Sequence, residues 1–456
     1  MHSPHKQDKL LTDDNKSHLE EGQDGMPQEI WEDMKANERF IYYSLMFLNG
    51  SVMWAYYSCL SAQDFYKIKF EGSGVNFEFL TTMVTAWPMV VGHIIQMLFA
   101  IDKKFGQQRR VVLGFLIFMA MAICIMAISA IKWDTDSSKA TGAWLVLTCF
   151  AIIGGANSLA EATFYMLAAL FPVEKFTNGV QIGNVSAGII NITVNTLIRL
   201  VVGGVHQTSN SASTSFYIFF TLFVMVCVVA IVLYRRLVNL PCIRFLLERN
   251  EEATKANGLA TQSIGATISN LVRIFTLIWV PAIAQFIVFF VSLAVFPGFG
   301  CSGVNTHLGK FGDVPPTSIN WYCAPGIIGA YNYGDFFGRI ICTAAVYKIF
   351  TMKVSFTLTL VRLAYLPLML MGVAGTSLYV FGGSSTGSVI YNIIMTLTIG
   401  FSNGLLCTVT MGVAPRLVGP DDRESAGAIM VLFLFLGIAS GATFGNEIST
   451  KHYFGL

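Results

Sequence analysis

The stretch VVLGFLIFMAMAICIMAISAI, residues 111–131, decides the fold of this protein. It holds no charged side chain, and it is bounded by Arg109 and Arg110 on one side and Lys132 on the other. A helix rises 1.5 Å per residue, so a run of this length spans the roughly 30 Å hydrocarbon core of a bilayer. The run therefore predicts a transmembrane helix.

Ten further runs of similar character lie on either side of it. Two of these ten, 142–171 and 176–204, are nearly continuous. We separate them at Pro172, Glu174 and Lys175, because Pro and two charges fit poorly in the middle of a membrane helix. The chain is therefore predicted to be an all-α, polytopic membrane protein with eleven transmembrane helices. Their expected bounds are 39–62, 79–101, 111–131, 142–171, 176–204, 214–238, 272–296, 324–347, 354–376, 387–414 and 425–447.

Composition supports a membrane protein. The 456 residues are 54% hydrophobic and only 12% charged, against about 25% charged in soluble domains. The net charge of +2 conceals a split, because residues 1–38 contain four lysines and ten acidic residues, a net charge of −6. We expect residues 1–38 to be a disordered, acidic cytoplasmic tail, since the segment is charged and poor in apolar residues.

The distribution of basic residues sets the expected orientation. With the N-terminus in the cytoplasm, the inner loops between spans carry fifteen Lys and Arg and the outer segments carry six. Eleven spans then place the C-terminus outside the cell, in a multi-pass protein of the plasma membrane. The longest inner loop, 239–271, separates a six-helix bundle at 39–238 from a five-helix bundle at 272–456. A 6+5 division of this kind is typical of a transporter with two rocking bundles.

Several other functions are not supported. The seven His and nine Cys show no zinc-binding spacing, no basic stripe suits nucleic acid, and neither a cofactor nor an obligate protein partner is indicated. Cys301 and Cys323 both lie on the longest predicted outer loop. Either a disulfide on the oxidising side or two free thiols is consistent with that position.

Away from the span ends, five charged residues fall inside predicted spans, where each is costly and a functional candidate by default. Asp335 and Arg339 stand four residues apart, and Asn332 is three residues before Asp335, so one helix face carries all three. One interpretation is a ligand site in which the carboxylate accepts hydrogen bonds from two adjacent hydroxyl groups, as in ribose. The other is an ion pair that joins two helices.

The other polar groups inside spans leave similar alternatives. Three roles are open for Glu161. It accepts hydrogen bonds from a ligand, it carries a proton, or it makes a packing hydrogen bond to a neighbouring Asn, Ser or Thr. Arg362 pairs with an acidic group or with carbonyls, a structural or gating role, whereas Arg199 snorkels outward. Trp54 stacks on a planar base or makes an ordinary apolar contact. Two amides adjoin glycines, a pattern that close helix packing also explains: Asn184 and Asn403.

Taken together, these segments resemble the equilibrative nucleoside transporter family. The motif Asn332-x-x-Asp335-x-x-Gly338-Arg339 is similar to the family signature. The segments Gly400–Gly404 and Glu424–Met430, with Arg362 and Pro367, are similar to later parts of the same family. The resemblance covers spans 8 to 11 and is fainter before them.

The resemblance implies a two-bundle carrier related to the major facilitator fold, which moves nucleosides or nucleobases by alternating access. It implies that Asp335 and Arg339 contact ribose, that Glu161 occupies a base-contacting position, and that Trp54 matches the Trp of span 1. Asn184 replaces the central residue of a Gly-Gln-Gly motif, and Met53 and Ala55 also depart from the family. These departures favour a protist-like branch, some of whose members are proton-coupled.

The sequence thus predicts a carrier of purine nucleosides, and not an enzyme, with Asp335 or Glu161 as the carrier of any coupled proton. A purine nucleobase carrier is the alternative within the family. An intramembrane aspartyl protease needs two carboxylates at one site, whereas Asp335 is the only Asp within a predicted span. A non-transport receptor is the remaining alternative, and eleven spans fit a seven-helix receptor poorly.

Overall fold

The computed structural model describes residues 26–99, 106–171, 175–205, 208–256, 264–301, 321–345, 351–373, 385–419 and 422–450. Within these ranges the chain is almost entirely helical, and they contain no β-strand. The predicted all-α fold is confirmed.

The first part of the chain forms a bundle of six long helices with two short ones. The helices are α1 Gln28–Ala36, α2 Glu38–Ser61, α3 Gln63–Lys69, α4 Phe77–Phe99, α5 Gln107–Ala130, α6 Asp136–Ala169, α7 Lys175–Gly203 and α8 Ser209–Val238.

The second part forms another bundle. It follows the linking helix α9 Pro241–Ala256, whose buried residues Cys242, Ile243 and Leu246 belong to the core of the first bundle. Its helices are α10 Ile264–Val295, a π-helical segment Tyr322–Ile328 that continues as α11 Gly329–Ala345, α12 Met352–Val361, a 3-10 turn Arg362–Ala364, α13 Tyr365–Val373, α14 Ser385–Val413 and α15 Arg423–Thr450.

Nine helical segments in the described part are long and apolar enough to cross a membrane. Two further long helices coincide with predicted spans 1 and 8 but are not among the nine. One of them, α2, contains several Tyr, Ser and Asn residues, and the other, α11, has 17 residues. The membrane protein class is therefore supported, while the count of eleven spans stays a prediction.

Two of the predicted non-membrane segments are more ordered than expected. The prediction of disorder for residues 1–38 is wrong for the last part of that segment, because Gln28–Ala36 forms helix α1. Residues 1–25 lie outside the described residues. The central loop at 239–271 is likewise wrong in extent, because it contains α9 and because α10 already begins at Ile264. In α1 the apolar residues Ile30, Trp31 and Met34 pack on the first bundle, a contact that overall polarity does not reveal.

Local chemistry explains why α6 begins six residues before its predicted apolar run. Thr135 and Ser138 form a reciprocal capping box, in which each side-chain oxygen accepts a hydrogen bond from the backbone N–H of the other residue. This pair satisfies two of the N–H groups that a helix start leaves without partners. The polar segment Asp136–Gly142 is therefore helical although it is not apolar.

Each bundle has its own hydrophobic core, and the two cores meet along two seams. Along one, α4 and α15 pack through Ala86, Val90 and Phe435. Along the other, α7 and α11 are joined by a 3.0 Å hydrogen bond between the hydroxyls of Thr193 and Tyr333. We call the end that carries Cys301 the disulfide end and the end that carries residues 239–256 the linker end.

Candidate functional site

Asp335 is buried in the second bundle and bound by two donors. On its own helix α11, Arg339 donates from Nε to Oδ2 at 3.2 Å, as the spacing of four residues predicts. From α14, Asn403 donates to Oδ1 at 2.9 Å. The carboxylate is 3% exposed, so both bonds lie in a low-dielectric interior where they are strong.

A chain of polar contacts continues from Asn403 to two further helical segments. Ser292 of α10 donates to Oδ1 of Asn403 at 2.9 Å, and Arg362 donates to the Ser292 hydroxyl at 2.6 Å. Arg362 also donates to the carbonyls of Ile399 and Val288 and to the hydroxyl of Ser402. We call this series from Arg339 through Asp335, Asn403 and Ser292 to Arg362 the polar chain.

The polar chain settles the alternatives left open for Arg362 and Asn403. The hydrogen bonds of Arg362 go to carbonyls and hydroxyls and not to an acidic side chain. Asn403 does lie at a close helix contact, but its amide also holds the Asp335 carboxylate. Sequence spacing gave no sign of these links, since Ser292 and Asn403 are 111 residues apart.

Glycines make the contact between α11 and α14 close enough for this chain. A Cβ atom added to Gly334 or Gly338 would overlap the backbone of α14. The reverse holds at Gly400 and Gly404, where it would overlap the carbonyls of Tyr331 and Asp335. Four small residues thus bring the two backbones together, as small residues do between membrane helices.

Glu161 is the acidic counterpart in the first bundle. It is 2% exposed, and its Oε1 accepts a 2.9 Å hydrogen bond from the amide of Asn184 on α7. Its Oε2 has no partner among the described residues. Asn184 therefore orients one carboxylate oxygen and leaves the other available.

The two acidic groups belong to one electrostatic unit that bridges the bundles. Arg339 acts on Asp335 and also on Glu161, while Cys407 of α14 lies within electrostatic reach of all three. Tyr165, one turn beyond Glu161 on α6, is influenced by both Glu161 and Arg339. Arg339 thus pairs directly with Asp335 and lies within electrostatic range of Glu161, and all three side chains are buried.

Other predicted residues surround this unit. Asn332 donates to the carbonyl of Ile328, while its Oδ1 is buried without a partner and faces Gly188 of α7 and the ring of Tyr57. Trp54 is 8% exposed. With the Asn191 amide oriented so that its oxygen accepts, the Trp54 Nε1 lies 3.3 Å from it, and no aromatic ring stacks on the indole among the described residues.

Sequence reasoning missed Asn157 and misjudged Arg199. Asn157 lies one turn before Glu161 on α6, is fully buried, and has neither amide atom paired. Its spacing of four residues from Glu161 was the available signal. Arg199 does not snorkel: it is 5% exposed and its guanidinium lies 4.2 Å from the ring centre of Trp321.

The disulfide end is closed by contacts between the bundles. Cys301 and Cys323 are joined by a disulfide with a Cα–Cα distance of 4.8 Å. Near it, Trp321 donates from Nε1 to the carbonyl of Val205 at 2.8 Å, and Phe299 makes an edge contact with Phe79 of α4. Among the described residues, no group of three or more His, Cys, Asp or Glu is placed to hold a metal ion.

Comparison with known proteins now bears on this geometry. Residues 147–449 match the family model described as nucleoside transporter, and residues 4–240 match the model described as sugar (and other) transporter. The chain belongs to the nucleoside transporter family. The first match covers the Glu161 carboxylate, its Asn184 partner and the whole polar chain.

Individual relatives support the same family assignment. The chain is 24% identical over 348 residues to equilibrative nucleotide transporter 1 of Arabidopsis thaliana, covering 73% of this chain and 70% of that protein. It is 31% identical over 172 residues to human equilibrative nucleoside transporter 2, covering 37% of this chain and 36% of that protein. The predicted family resemblance is confirmed.

Solved structures support the fold. A D-xylose-proton symporter aligns with a TM-score of 0.60 at 12% identity, covering 89% of each chain. A POT family transporter in complex with 5-aminolevulinic acid aligns with a TM-score of 0.60 at 13% identity, covering 90% of each chain. The major-facilitator-like fold is confirmed, and the protein is a multi-pass membrane transporter by family and fold.

Proposed function

We propose that this transporter carries nucleosides, with a preference for purines, across the membrane by alternating access. The observation that carries the proposal is the buried Asp335–Arg339 ion pair in the second bundle together with the buried Glu161 carboxylate in the first. In-span ionisable groups that face the bundle interior mark substrate pathways. The names of the relatives, which are nucleoside and nucleotide transporters, support this class of substrate.

Each group has a defined part in the proposed mechanism. Asp335 accepts hydrogen bonds from the ribose hydroxyls, Asn332 offers its free Oδ1 beside it, and Arg339 orients the carboxylate and donates to the substrate. Glu161, held by Asn184, receives the base from the opposite bundle, and Trp54 forms an apolar wall. Asn403 and Arg362 keep Asp335 in place through the polar chain.

Alternating access follows from contacts made to both bundles at once. A substrate that bonds Asp335 and Glu161 together stabilises the state in which the bundles are closed around it. Rocking of one bundle against the other then opens the opposite end. A ligand can shift this equilibrium only by its difference in affinity between the states, so the cross-bundle contacts are the essential ones.

A carrier of free nucleobases is the second candidate, and the Glu161 carboxylate favours it. Where ribose is absent, the carboxylate supplies a strong acceptor that a neutral amide lacks. Proton coupling is a separate part of the proposal. We propose either Glu161 or Asp335 as the carboxylate that carries the proton.

Uptake in a purine-transport-deficient cell tests these proposals. Labelled inosine, adenosine, uridine, hypoxanthine and adenine are supplied at two external pH values. Saturable nucleoside uptake above that of empty cells is expected, and hypoxanthine uptake with no nucleoside uptake would favour the second candidate. Substrate-induced inward current that grows at acid external pH supports proton coupling, whereas electrically silent uptake contradicts it.

We also propose that the protein lies in the plasma membrane with the linker end in the cytoplasm. Exposed arginines at that end support this orientation, among them Arg235, Arg236 and Arg244. An epitope tag at the N-terminus is then expected to be stained only after permeabilisation, and a C-terminal tag in intact cells.

A further inference from the structure

Two side chains on α6 present buried polar atoms without protein partners, one turn apart. The free oxygen of Glu161 is Oε2, and both amide atoms of Asn157 are unpaired among the described residues. The two residues are 2% and 0% exposed. Buried polar atoms of this kind cost roughly 1–3 kcal/mol each, so their presence in a transporter calls for a ligand that satisfies them.

Two other buried asparagines of the same bundle each donate to a backbone carbonyl. Asn195 donates to the carbonyl of Ser61 at 2.8 Å, and Asn49 donates to that of Val180 at 2.9 Å. Both thereby join α7 to α2. Asn157 joins nothing, although it is as deeply buried as they are.

The chemistry of the two side chains defines what they would bind. A carboxylate oxygen only accepts hydrogen bonds, whereas the Asn157 amide both donates and accepts. A complementary ligand edge therefore presents an N–H donor to Glu161 and, next to it, a carbonyl oxygen to the Asn157 Nδ2. Ring N–H groups beside a carbonyl occur in hypoxanthine, guanine and uracil.

Resting on the proposed nucleoside transport, we infer that Glu161 and Asn157 select bases that carry a ring N–H beside a carbonyl. Inosine, guanosine and uridine belong to this class. Adenosine and cytidine instead place a ring-nitrogen lone pair beside an amino group, so a lone pair faces the Glu161 oxygen. A site built to accept a donor rejects a substrate that lacks it, because its polar atoms are then left unpaired.

The consequence is a discrimination of about ten- to a hundredfold, the usual size for a hydrogen bond to a charged group. Asn157 is a specificity-determining residue in this account. Glu161 supplies the acceptor, and Asn184 holds it in orientation through the 2.9 Å bond to its other oxygen.

Competition against labelled inosine uptake tests the inference in cells that express the full chain. Unlabelled inosine and 7-deazainosine, which keep the ring N–H, are expected to compete equally. 1-Methylinosine, which lacks that hydrogen, and adenosine are expected to need at least tenfold higher concentrations. Equal competition by 1-methylinosine would overturn the inference while leaving nucleoside transport intact.

Variants assign the effect to the two residues. Glu161→Gln offers a donor beside its acceptor and is expected to reduce the adenosine-to-inosine ratio of half-inhibitory concentrations at least tenfold, towards equality. Asn157→Leu should narrow the same ratio, whereas Asn195→Leu, an equally buried Asn with a backbone partner, should not. The ratio is independent of surface amount, so an unchanged ratio in both Glu161→Gln and Asn157→Leu contradicts the inference. Absence of any inosine uptake by the wild type would instead overturn the proposed function on which it rests.

Discussion

At the scale of single residues, the Asp335 carboxylate is held by a donor on each oxygen before any ligand arrives. Arg339 binds one oxygen from the same helix, and Asn403 binds the other from α14. A carboxylate fixed in this way needs little reorganisation to receive two hydroxyl groups, which lowers the entropic cost of binding. The polar chain to Arg362 extends this fixation across the second bundle.

Replacement of Asn403 by Ala tests the contribution of this fixation. Asn403→Ala leaves Oδ1 of Asp335 without its 2.9 Å donor, so the KM for nucleoside uptake is expected to rise about tenfold, the worth of one charge-assisted hydrogen bond. Asn195→Ala removes a comparable buried hydrogen bond in the first bundle and serves as the control. If both variants change KM equally, Asn403 has no special link to the substrate.

Single residues also show where sequence reasoning stops. The pairing of Asp335 with Arg339 was predictable because both lie on one helix, four residues apart. The partners of Arg362, Asn403 and Glu161 come from other helices, and no local pattern specifies which helices are neighbours. Asn157 offered one local signal, its spacing of four residues from Glu161, but its unpaired amide is recognised only when its surroundings are known.

At the scale of elements, the contact of α11 with α14 depends on space that only glycine leaves. Added Cβ atoms at four positions would meet the backbone of the partner helix. Such close approach is how membrane helices gain contact energy without a hydrophobic driving force. The presence of glycine at position 338 of the motif is therefore explained by helix packing, independently of any ligand.

Gly404→Ala is expected to destabilise this contact. The new methyl group would overlap the carbonyl of Asp335, and overpacking costs roughly 1–3 kcal/mol or more. A lower thermal unfolding midpoint in detergent and a loss of uptake should follow. Gly427→Ala, at a position where a Cβ meets nothing within 4 Å, is expected to change neither; an equal effect at both sites would contradict the packing account.

The short helices at the linker end form a second contact between elements. Asp33 of α1 accepts a 3.0 Å hydrogen bond from the backbone N–H of Cys242, at the start of α9. The carboxylate thereby caps a helix far from it in sequence, as a negative group at a helix N-terminus does. The polar composition of residues 28–36 led to a prediction of disorder. The surface against which α1 packs belongs to another part of the chain, so local composition does not reveal it.

The reactivity of Cys242 reports on this cap. Burial, followed by the neighbouring Asp33 carboxylate, raises the pKa of the Cys242 thiol to about 12. The thiolate is the reactive form, so alkylation is expected to be slow at pH 8 and to rise about tenfold per pH unit below that pKa. Asp33→Ala should speed alkylation at least tenfold by peptide mass spectrometry, and Asp134→Ala, an exposed acid at the other end, should not. No change in Asp33→Ala would mean that α1 does not shield the thiol.

At the scale of the whole molecule, the structure is closed at the disulfide end. The closure joins the bundles through Trp321 with Val205 and Arg199, and through Phe299 with Phe79. Alternating access requires these contacts to break in the opposite state. They therefore belong to an element whose equilibrium the substrate shifts.

Trp321→Ala is expected to shift the equilibrium towards opening at the disulfide end. It removes a cation–π contact and a hydrogen bond, each worth roughly 0.5–2 kcal/mol. Spin labels at Ser137→Cys and Glu447→Cys, exposed positions on the two bundles at that end, should show a larger long-distance population by pulsed electron resonance. Trp144→Ala, at an exposed Trp of α6, serves as the control. If Trp321→Ala leaves the distance distribution unchanged, the Trp321 contacts do not hold the disulfide end closed in the transport cycle.

The overall architecture was the part most accessible from the sequence. Long apolar runs predict helices because a bilayer leaves the backbone no other way to satisfy its hydrogen bonds. The 6+5 division was predicted from the central polar segment and stays a prediction, while the family and fold comparisons agree with a major-facilitator-like transporter. The linker end was predicted less well, because its short amphipathic helices lack the long apolar runs by which membrane helices are recognised.

The central claim is that Asp335 binds the sugar of a nucleoside that bridges the two bundles. Uptake of labelled inosine, normalised to surface protein by biotinylation, tests it most directly in Asp335→Asn beside the wild type in purine-transport-deficient cells. The variant keeps the side-chain size but removes the charge that Arg339 and Asn403 hold, and uptake is expected to fall at least tenfold at equal surface amount. Near-wild-type uptake by Asp335→Asn would contradict the account.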